Sequence, residues 1–217
     1  MFRRFSRVAP ALALALVSLF AAAPRAQPQP AAATPALAFP GAQGWARDTV
    51  GGRGGRIIRV TTLAESGPGS LREAVEATGP RIIVFEVGGV IDLGRHTLVI
   101  REPFVTIAGQ TAPSPGITLI RGGIDIWGHD VILQHIRVRP GEAEQPRRSG
   151  WEEDSVSTQG AAWNVIVDHC TLTWATDENL SASGPRFTGS TPDEWRRGTS
   201  HRLTYSQNII AEGLARS

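Results

Sequence analysis

Three eight-residue stretches of this 217-residue chain share one plan: Val131-Ile-Leu-Gln-His-Ile-Arg-Val138, Val165-Ile-Val-Asp-His-Cys-Thr-Leu172 and Leu203-Thr-Tyr-Ser-Gln-Asn-Ile-Ile210. Each joins an apolar triplet to a second apolar strand through two or three polar residues that make a bend. A fourth stretch, Val105-Thr-Ile-Ala-Gly-Gln110, matches in part. A unit this short cannot bury its own apolar side, so repetition implies that each copy stacks on the next. The starts lie 26, 34 and 38 residues apart. That fits a coil of about two dozen residues per turn. The excess is expected in two polar stretches rich in Arg, Pro and Gly, Gly141 to Gly150 and Gly184 to Gly198.

Other apolar segments, such as Ile82-Ile83-Val84-Phe85 and Ile117-Thr118-Leu119-Ile120, are equally short and end at Gly, Pro, Asn or Asp. Their length and β-branched content favour strands over helices. The alternative, a β-sandwich, needs tight hairpins, and few two-residue hairpin signals connect these strands. The expected fold is therefore all-β, a parallel β-helix. Ser70-Leu-Arg-Glu73 is a capping box that opens a short helix through about Ala77, and Gly79-Pro80 stops it. Leu71, Ala74 and Val75 give this helix an apolar side. It is expected to cover the N-terminal end of the coil, whose open strands would otherwise template aggregation.

The first 26 residues read as a secretory signal. Arg3, Arg4 and Arg7 precede an apolar run from Ala11 to Ala23, and Ala21, Ala23 and Ala26 offer cleavage sites. Residues 27–38 are a Pro/Ala/Gln-rich spacer. One β-helix domain is expected over residues 39–217, from Phe39-Pro40-Gly41 onward. The chain carries 22 basic and 20 acidic residues, and every basic residue is Arg. Loss of Arg3, Arg4, Arg7 and Arg25 with the signal leaves 18 against 20, with no basic stripe for nucleic acid. The expectation is a secreted monomer with no membrane attachment after signal cleavage. Cys170 is the single cysteine, which excludes an internal disulfide. It alternates with apolar neighbours, as a small core residue does.

Gly51-Gly52-Arg53-Gly54-Gly55 lacks the Lys-Ser/Thr of a phosphate-binding loop and runs into a strand at Ile57, so it reads as a tight turn. His96, His129, His135, His169 and His201 have no metal-site spacing, and there is no Gly-x-Ser-x-Gly elbow. His169 is expected to satisfy hydrogen bonds in a bend of the coil. The acids are more informative. Glu152, Glu153 and Asp154 precede one strand, and Asp177 and Glu178 follow Trp174. Asp168 closes the Val165 strand. If one turn separates the Asp154 strand from the strand after Trp174, these carboxylates can converge on one side, and hard oxygen ligands at such a site suit Ca²⁺. The alternative is a group of solvated loop acids. Trp127, Trp151, Trp163 and Trp174 either stack on sugar rings or fill a wide coil interior.

Several motifs, in order, resemble the pectate lyase family of polysaccharide lyases: Ala38-Phe-Pro-Gly-Ala-Gln-Gly44, Gly51-Gly-Arg-Gly-Gly55, Ser66 to Ala74, Val105 to Pro113, Ile136-Arg-Val-Arg-Pro-Gly141 and Val165-Ile-Val-Asp-His169. The resemblance covers most of the chain after the signal and matches an amino-terminal portion of the family. It implies a right-handed parallel β-helix, export, and Ca²⁺-assisted β-elimination of an acidic polysaccharide, polygalacturonate or pectin. Asp154 matches the first family calcium ligand and Asp177 the second. The third falls on Ser181, which has no carboxylate, and Glu178 stands in for it. Asp168 matches a structural, hydrogen-bonding position. The family's catalytic arginine is expected beyond residue 217, since Arg216 sits in no matching motif; the coil is expected to be incomplete at its C-terminal end, with no catalytic residue assigned. The competing readings are a β-helical glycoside hydrolase working through paired carboxylates and a polysaccharide-binding β-helix without catalysis.

Overall fold

A computed structural model describes residues 36–146, 148–160, 162–184 and 189–214. The expected signal, nearly all of the spacer, and Arg216 lie outside the described residues. The chain enters through β1 (Arg56–Val60) and helix α1 (Leu71–Glu76) and then winds in turns of three strands. The first full turn is β2 (Arg81–Phe85), β3 (Gly89–Asp92) and β4 (Leu98–Ile100). The second is β5 (Val105–Ala108), β6 (Ile117–Ile120) and β7 (Ile124–Ile126), and the third β8 (Val131–Gln134), β9 (Ile136–Arg139) and β10 (Val156–Thr158). Then come β11 (Trp163–Asp168), β12 (Thr171–Thr173) and β13 (Leu180–Ala182), helix α2 (Pro192–Arg197), β14 (His201–Ser206) and β15 (Ile209–Ala211).

Strands at the same place in each turn pair in parallel and build three sheets. The first is β1-β2-β5-β8-β11-β14, the second β3-β6-β9-β12-β15 and the third β4-β7-β10-β13. This is a parallel β-helix. The register steps along the first sheet, Arg81 to Val105 to Val131 to Val165 to Leu203, are 24, 26, 34 and 38 residues. The two longer steps take up their excess between β9 and β10 and between β13 and β14, in the two polar stretches expected from the sequence.

Inside the coil, like residues stack on like. Ile83, Ile107, Leu133, Val167 and Tyr205 are in register in the first sheet. Ile91, Leu119, Val138 and Leu172 form the matching ladder in the second, and Leu98, Ile124, Val156 and Leu180 in the third. All but Tyr205 and Leu180 are buried, and full burial of such a side chain contributes about 1.5–3 kcal/mol. Cys170 lies in this core as a free thiol that burial pushes up to about 11. The four tryptophans do not: Trp127 and Trp174 are exposed and Trp151 and Trp163 half-buried. Mainly aliphatic ladders fill the interior, with Phe85 and Cys170 among them and none of these four tryptophans, so the space-filling alternative for the tryptophans fails.

The sharp corner between the first and second sheets turns on one left-handed residue in each of three turns, His135, His169 and Gln207 (φ 55, 53 and 53°). Helix α1 closes the N-terminal end with Leu71, Ala74 and Val75 buried, as its sequence implies. Ser70 Oγ accepts from the Glu73 amide (3.2 Å), while the Glu73 carboxylate accepts from Gly69 (2.7 Å) and not from Ser70, a one-residue shift of the capping box. Arg81 stacks above the Val105–Val131–Val165 ladder and is fully buried. Its guanidinium donates to the carbonyls of Ala74, Val75, Gly79, Glu102 and Pro103. Two of these are otherwise orphaned carbonyls of the last turn of α1, so one side chain ties the cap to the coil.

Residues 36–55 form a strap over the outer face of the first sheet. The Ala46 amide donates to Thr204 Oγ1 (3.1 Å), Val50 to Asp130 Oδ1 (3.3 Å) and Gly52 to Thr106 Oγ1 (2.9 Å). A Cβ on Gly52 would lie 1.8 Å from the Arg81 carbonyl oxygen and one on Gly55 2.1 Å from that of Pro80. The glycines thus serve close approach to the sheet as well as the expected turn. Helix α2 is not foreseen from the repeat pattern, although Thr191-Pro-Asp-Glu194 is a capping box with Pro in the first turn. No helix among the described residues is long and apolar enough to cross a membrane.

Candidate metal centre

The corner between the second and third sheets carries the acids. Asp154 lies two residues before β10, and Glu178 two residues before β13 on the following turn. Since Val156 pairs with Leu180, Asp154 and Glu178 face each other across one strand spacing, about 4.8 Å. The Ser155 amide donates to the Glu178 carbonyl (3.0 Å) and the Glu178 amide to Asp154 Oδ1 (2.9 Å), which fixes the pair. Asp177 completes the group: Asp154, Asp177 and Glu178 each offer a carboxylate oxygen, and these lie within 4.8 Å of one another. All three acids singled out in the sequence therefore come together, across turns of unequal length.

Ser181, at the position where the resemblance implies a third carboxylate, donates to Asp154 Oδ2 (2.6 Å), and its oxygen lies 2.8 Å from Ser157 Oγ, whose hydroxyl can donate to it. It orients Asp154. The other two acids of the Glu152–Asp154 run stay out of the group. Glu153 Oε1 accepts from Thr97 Oγ1 and from the Gly123 amide, each at 2.7 Å, and ties this corner to the preceding turns; Glu152 is exposed.

The electrostatics follow from the crowding. Glu178 is pushed up to about 7 by lost solvation and by the neighbouring Asp154 and Asp177 carboxylates. A cluster whose members resist ionising together is what a divalent cation relieves, and three carboxylates with nearby hydroxyls form a hard donor set. The residues fit a metal ion of the calcium type. Sequence reasoning missed Asp125. It points outward from the middle of β7, in register with Ser157 and then Ser181, and burial together with Glu153 and Asp154 pushes its carboxyl up to about 6. The signal was the alternation Ile124-Asp125-Ile126, which places one acid on the outer face of a buried strand.

Asp168, by contrast, stands at the opposite corner, away from this group in the fold. Its carboxylate accepts from Gln134 Nε2 (3.0 Å) and Ser206 Oγ (2.7 Å) and lies 2.7 Å from His169 Nδ1. Burial alone would raise it, but the His169, Ser206 and Gln134 hydrogen bonds together prevail and hold it below the usual aspartate value. Asp168 and His169 thus form the bend, the role expected for each.

The fold and this corner define a class: a parallel β-helix with an acidic cluster on its outer surface. Among solved structures, Jun a 1, the major allergen from cedar pollen, superposes with a TM-score of 0.54 at 20% identity, over 75% of this chain and 46% of that one. In sequence the chain is similar to a probable pectate lyase C of Emericella nidulans (40% identical over 185 residues, 83% of this chain and 38% of that protein). It is similarly related to a probable pectate lyase C of Aspergillus terreus (40% over 182 residues, 82% and 37%). Pectate lyase 5 of Ambrosia artemisiifolia is 29% identical over 158 residues. No protein-family model matches. The chain is a relative of the pectate lyases, and it spans less than two fifths of the length of the pectate lyase C proteins it matches.

Proposed function

We propose that this chain is the calcium-binding, polysaccharide-engaging part of a secreted pectate lyase, acting on polygalacturonate by β-elimination. The observation that carries the reading is the convergence of the Asp154, Asp177 and Glu178 oxygens within 4.8 Å on the outer surface of the coil. The pectate lyase relatives supply the substrate class. In β-elimination a base takes the proton at C5 of a uronate, the C4–O bond breaks, and an unsaturated sugar remains on one fragment. Asp154, Asp177 and Glu178 would hold a calcium ion, which would supply positive charge near the uronate carboxylate, where negative charge develops. The chain's own residues hold the geometry: Ser181 fixes Asp154, and the Glu178 amide fixes its other oxygen. Asp125 and Ser181, part-exposed on either side of the buried Ser157, offer polar contacts to a sugar chain lying along the third sheet.

Titration calorimetry with Ca²⁺ on the wild-type chain and Asp154→Asn tests the site. A loss of affinity of about tenfold or more is expected on removing one of three carboxylates; equal affinity in the two proteins overturns the assignment. Absorbance of unsaturated product on polygalacturonate, with calcium and then with chelator, separates lyase action from binding alone.

A further inference from the structure

Several arginines around the coil are tied down. Arg121 pairs with Asp92 at 2.6 Å, Arg202 bonds Asn164 and Asp48, Arg137 bonds Thr118 Oγ1 (2.8 Å) and the Pro115 carbonyl, and buried Arg81 has five carbonyl acceptors. Arg139 differs. It ends β9, points outward, and is half-buried, yet among the described residues its guanidinium donates no hydrogen bond and makes no ion pair. Its Nε is without a partner in a buried position, as is the hydroxyl of Thr173 in the adjoining strand β12. Nε itself is covered, and a water can serve it, whereas the terminal nitrogens of the fork are not buried and stay open to an acceptor from outside the chain.

The guanidinium is held in place by packing. Its central carbon lies 5.1 Å from the centre of the Trp174 ring. That indole is fixed in turn: Nε1 donates to Glu212 Oε2 (2.8 Å), the amide donates to the Glu212 carbonyl (3.1 Å), and the carbonyl accepts from Gly141 (2.9 Å). A guanidinium held over an indole face spends none of its N–H donors on that contact, which leaves the fork available to a carboxylate. Trp174 also begins the corner that carries Asp177 and Glu178, three and four residues on.

The same device occurs a second time, across the third sheet. Arg101 follows β4 and Trp127 follows β7, so the register of these strands puts them on neighbouring turns; the Arg101 central carbon lies 5.5 Å from the Trp127 ring centre. Arg101 is exposed and donates no hydrogen bond among the described residues. One guanidinium–indole pair thus stands at each margin of the outer face that carries Asp125, Ser181 and the acidic group.

The geometry points to Arg139 on Trp174, with Arg101 on Trp127 as its counterpart, as direct contacts to uronate carboxylates on either side of the acidic group. This rests on the acidic-polysaccharide reading of the site and adds to it a way of selecting charged sugars over methyl-esterified ones. A cation held by acids binds one carboxylate, whereas two arginine forks require further free carboxylates along the same chain. Trp174 and Trp127 act as positioning residues.

The test measures binding of the whole chain to polygalacturonate and to its highly methyl-esterified form, in saturating calcium, for wild type, Arg139→Gln, Arg139→Lys and Arg101→Gln. Arg139→Gln is expected to weaken binding of the free-acid polymer about tenfold or more, the scale of a charge-assisted bidentate contact. Binding of the esterified polymer should be unchanged, Arg139→Lys should recover part of the loss, and Arg101→Gln should show a smaller loss of the same selectivity. Ca²⁺ affinity without polymer stays at the wild-type value in these variants, whereas failure of the calcium reading would show in Asp154→Asn. Wild-type affinity for the free-acid polymer in both glutamine variants overturns the inference. So does an equal loss on both polymers, which would assign Arg139 to packing alone.

Discussion

Two corners of the same coil place acids within reach of neighbouring turns and treat them in opposite ways. Between the first and second sheets, Asp168 is surrounded by donors from three successive turns, Gln134, His169 and Ser206, and its carboxyl is held down. Between the second and third sheets, Glu178 meets Asp154 and Asp177 instead, and its carboxyl is pushed up to about 7. The stacking geometry is the same. What differs is whether the ladder position on the next turn supplies a donor or another acid. A solenoid can therefore write structure and chemistry in one format, with a satisfied rung serving stability and an unsatisfied one waiting for a ligand.

The contrast breaks most visibly at Asp168. Replacing this buried carboxylate with Leu strands the Gln134 and Ser206 donors and the His169 ring, and a loss of about 2–4 kcal/mol is expected. Thermal or denaturant unfolding reads it, with Ca²⁺ affinity unchanged. The same residue sets a pH dependence. Because its folded-state value lies below the ordinary 3.8, the stabilisation is fully present above 3.8 and drains away as pH falls below it, through the lowered folded value. Asp168→Asn should flatten that acid limb; an unchanged limb would show that other carboxylates produce it.

Glu178→Gln is expected to do the reverse. Removing one of three crowded charges should leave unfolding of the metal-free chain unchanged or slightly improved, within about 0.5 kcal/mol for so exposed a position, while Ca²⁺ affinity drops. A destabilisation as large as that of Asp168→Leu would erase the distinction between the two corners. Smallest of all is Cys170→Ala, which trims one buried sulfur from a well-packed ladder at about 1 kcal/mol. With its thiol raised to about 11, native Cys170 should resist alkylation near neutral pH and react only on unfolding.

The repeat read from Val131, Val165 and Leu203 corresponds to successive first-sheet strands, and the two long spacings correspond to loops, because β-branched triplets and polar bends are local signals. Asp154, Asp177 and Glu178 were legible as a group because the repeat itself says which residues share a corner. Other features depend on partners far along the chain. Third-sheet strands such as Leu98–Ile100 and Leu180–Ala182 are three residues long, too short for a period to show. Nothing local in the sequence marks Arg81 as buried; only the fold places five carbonyls around it. The pairing of Arg139 with Trp174 arises from a turn lengthened by the loop between β9 and β10, and no sequence spacing announces it.

The strap carries a consequence for the order of events in time. Ala46, among the first residues of the described chain to leave a ribosome, donates its amide hydrogen bond to Thr204, 158 residues later. It has no complete surface to lie on until the turn containing β14 has been wound. The earliest-made segment is thus the last that can settle, and folding should end in a slow, non-local docking step.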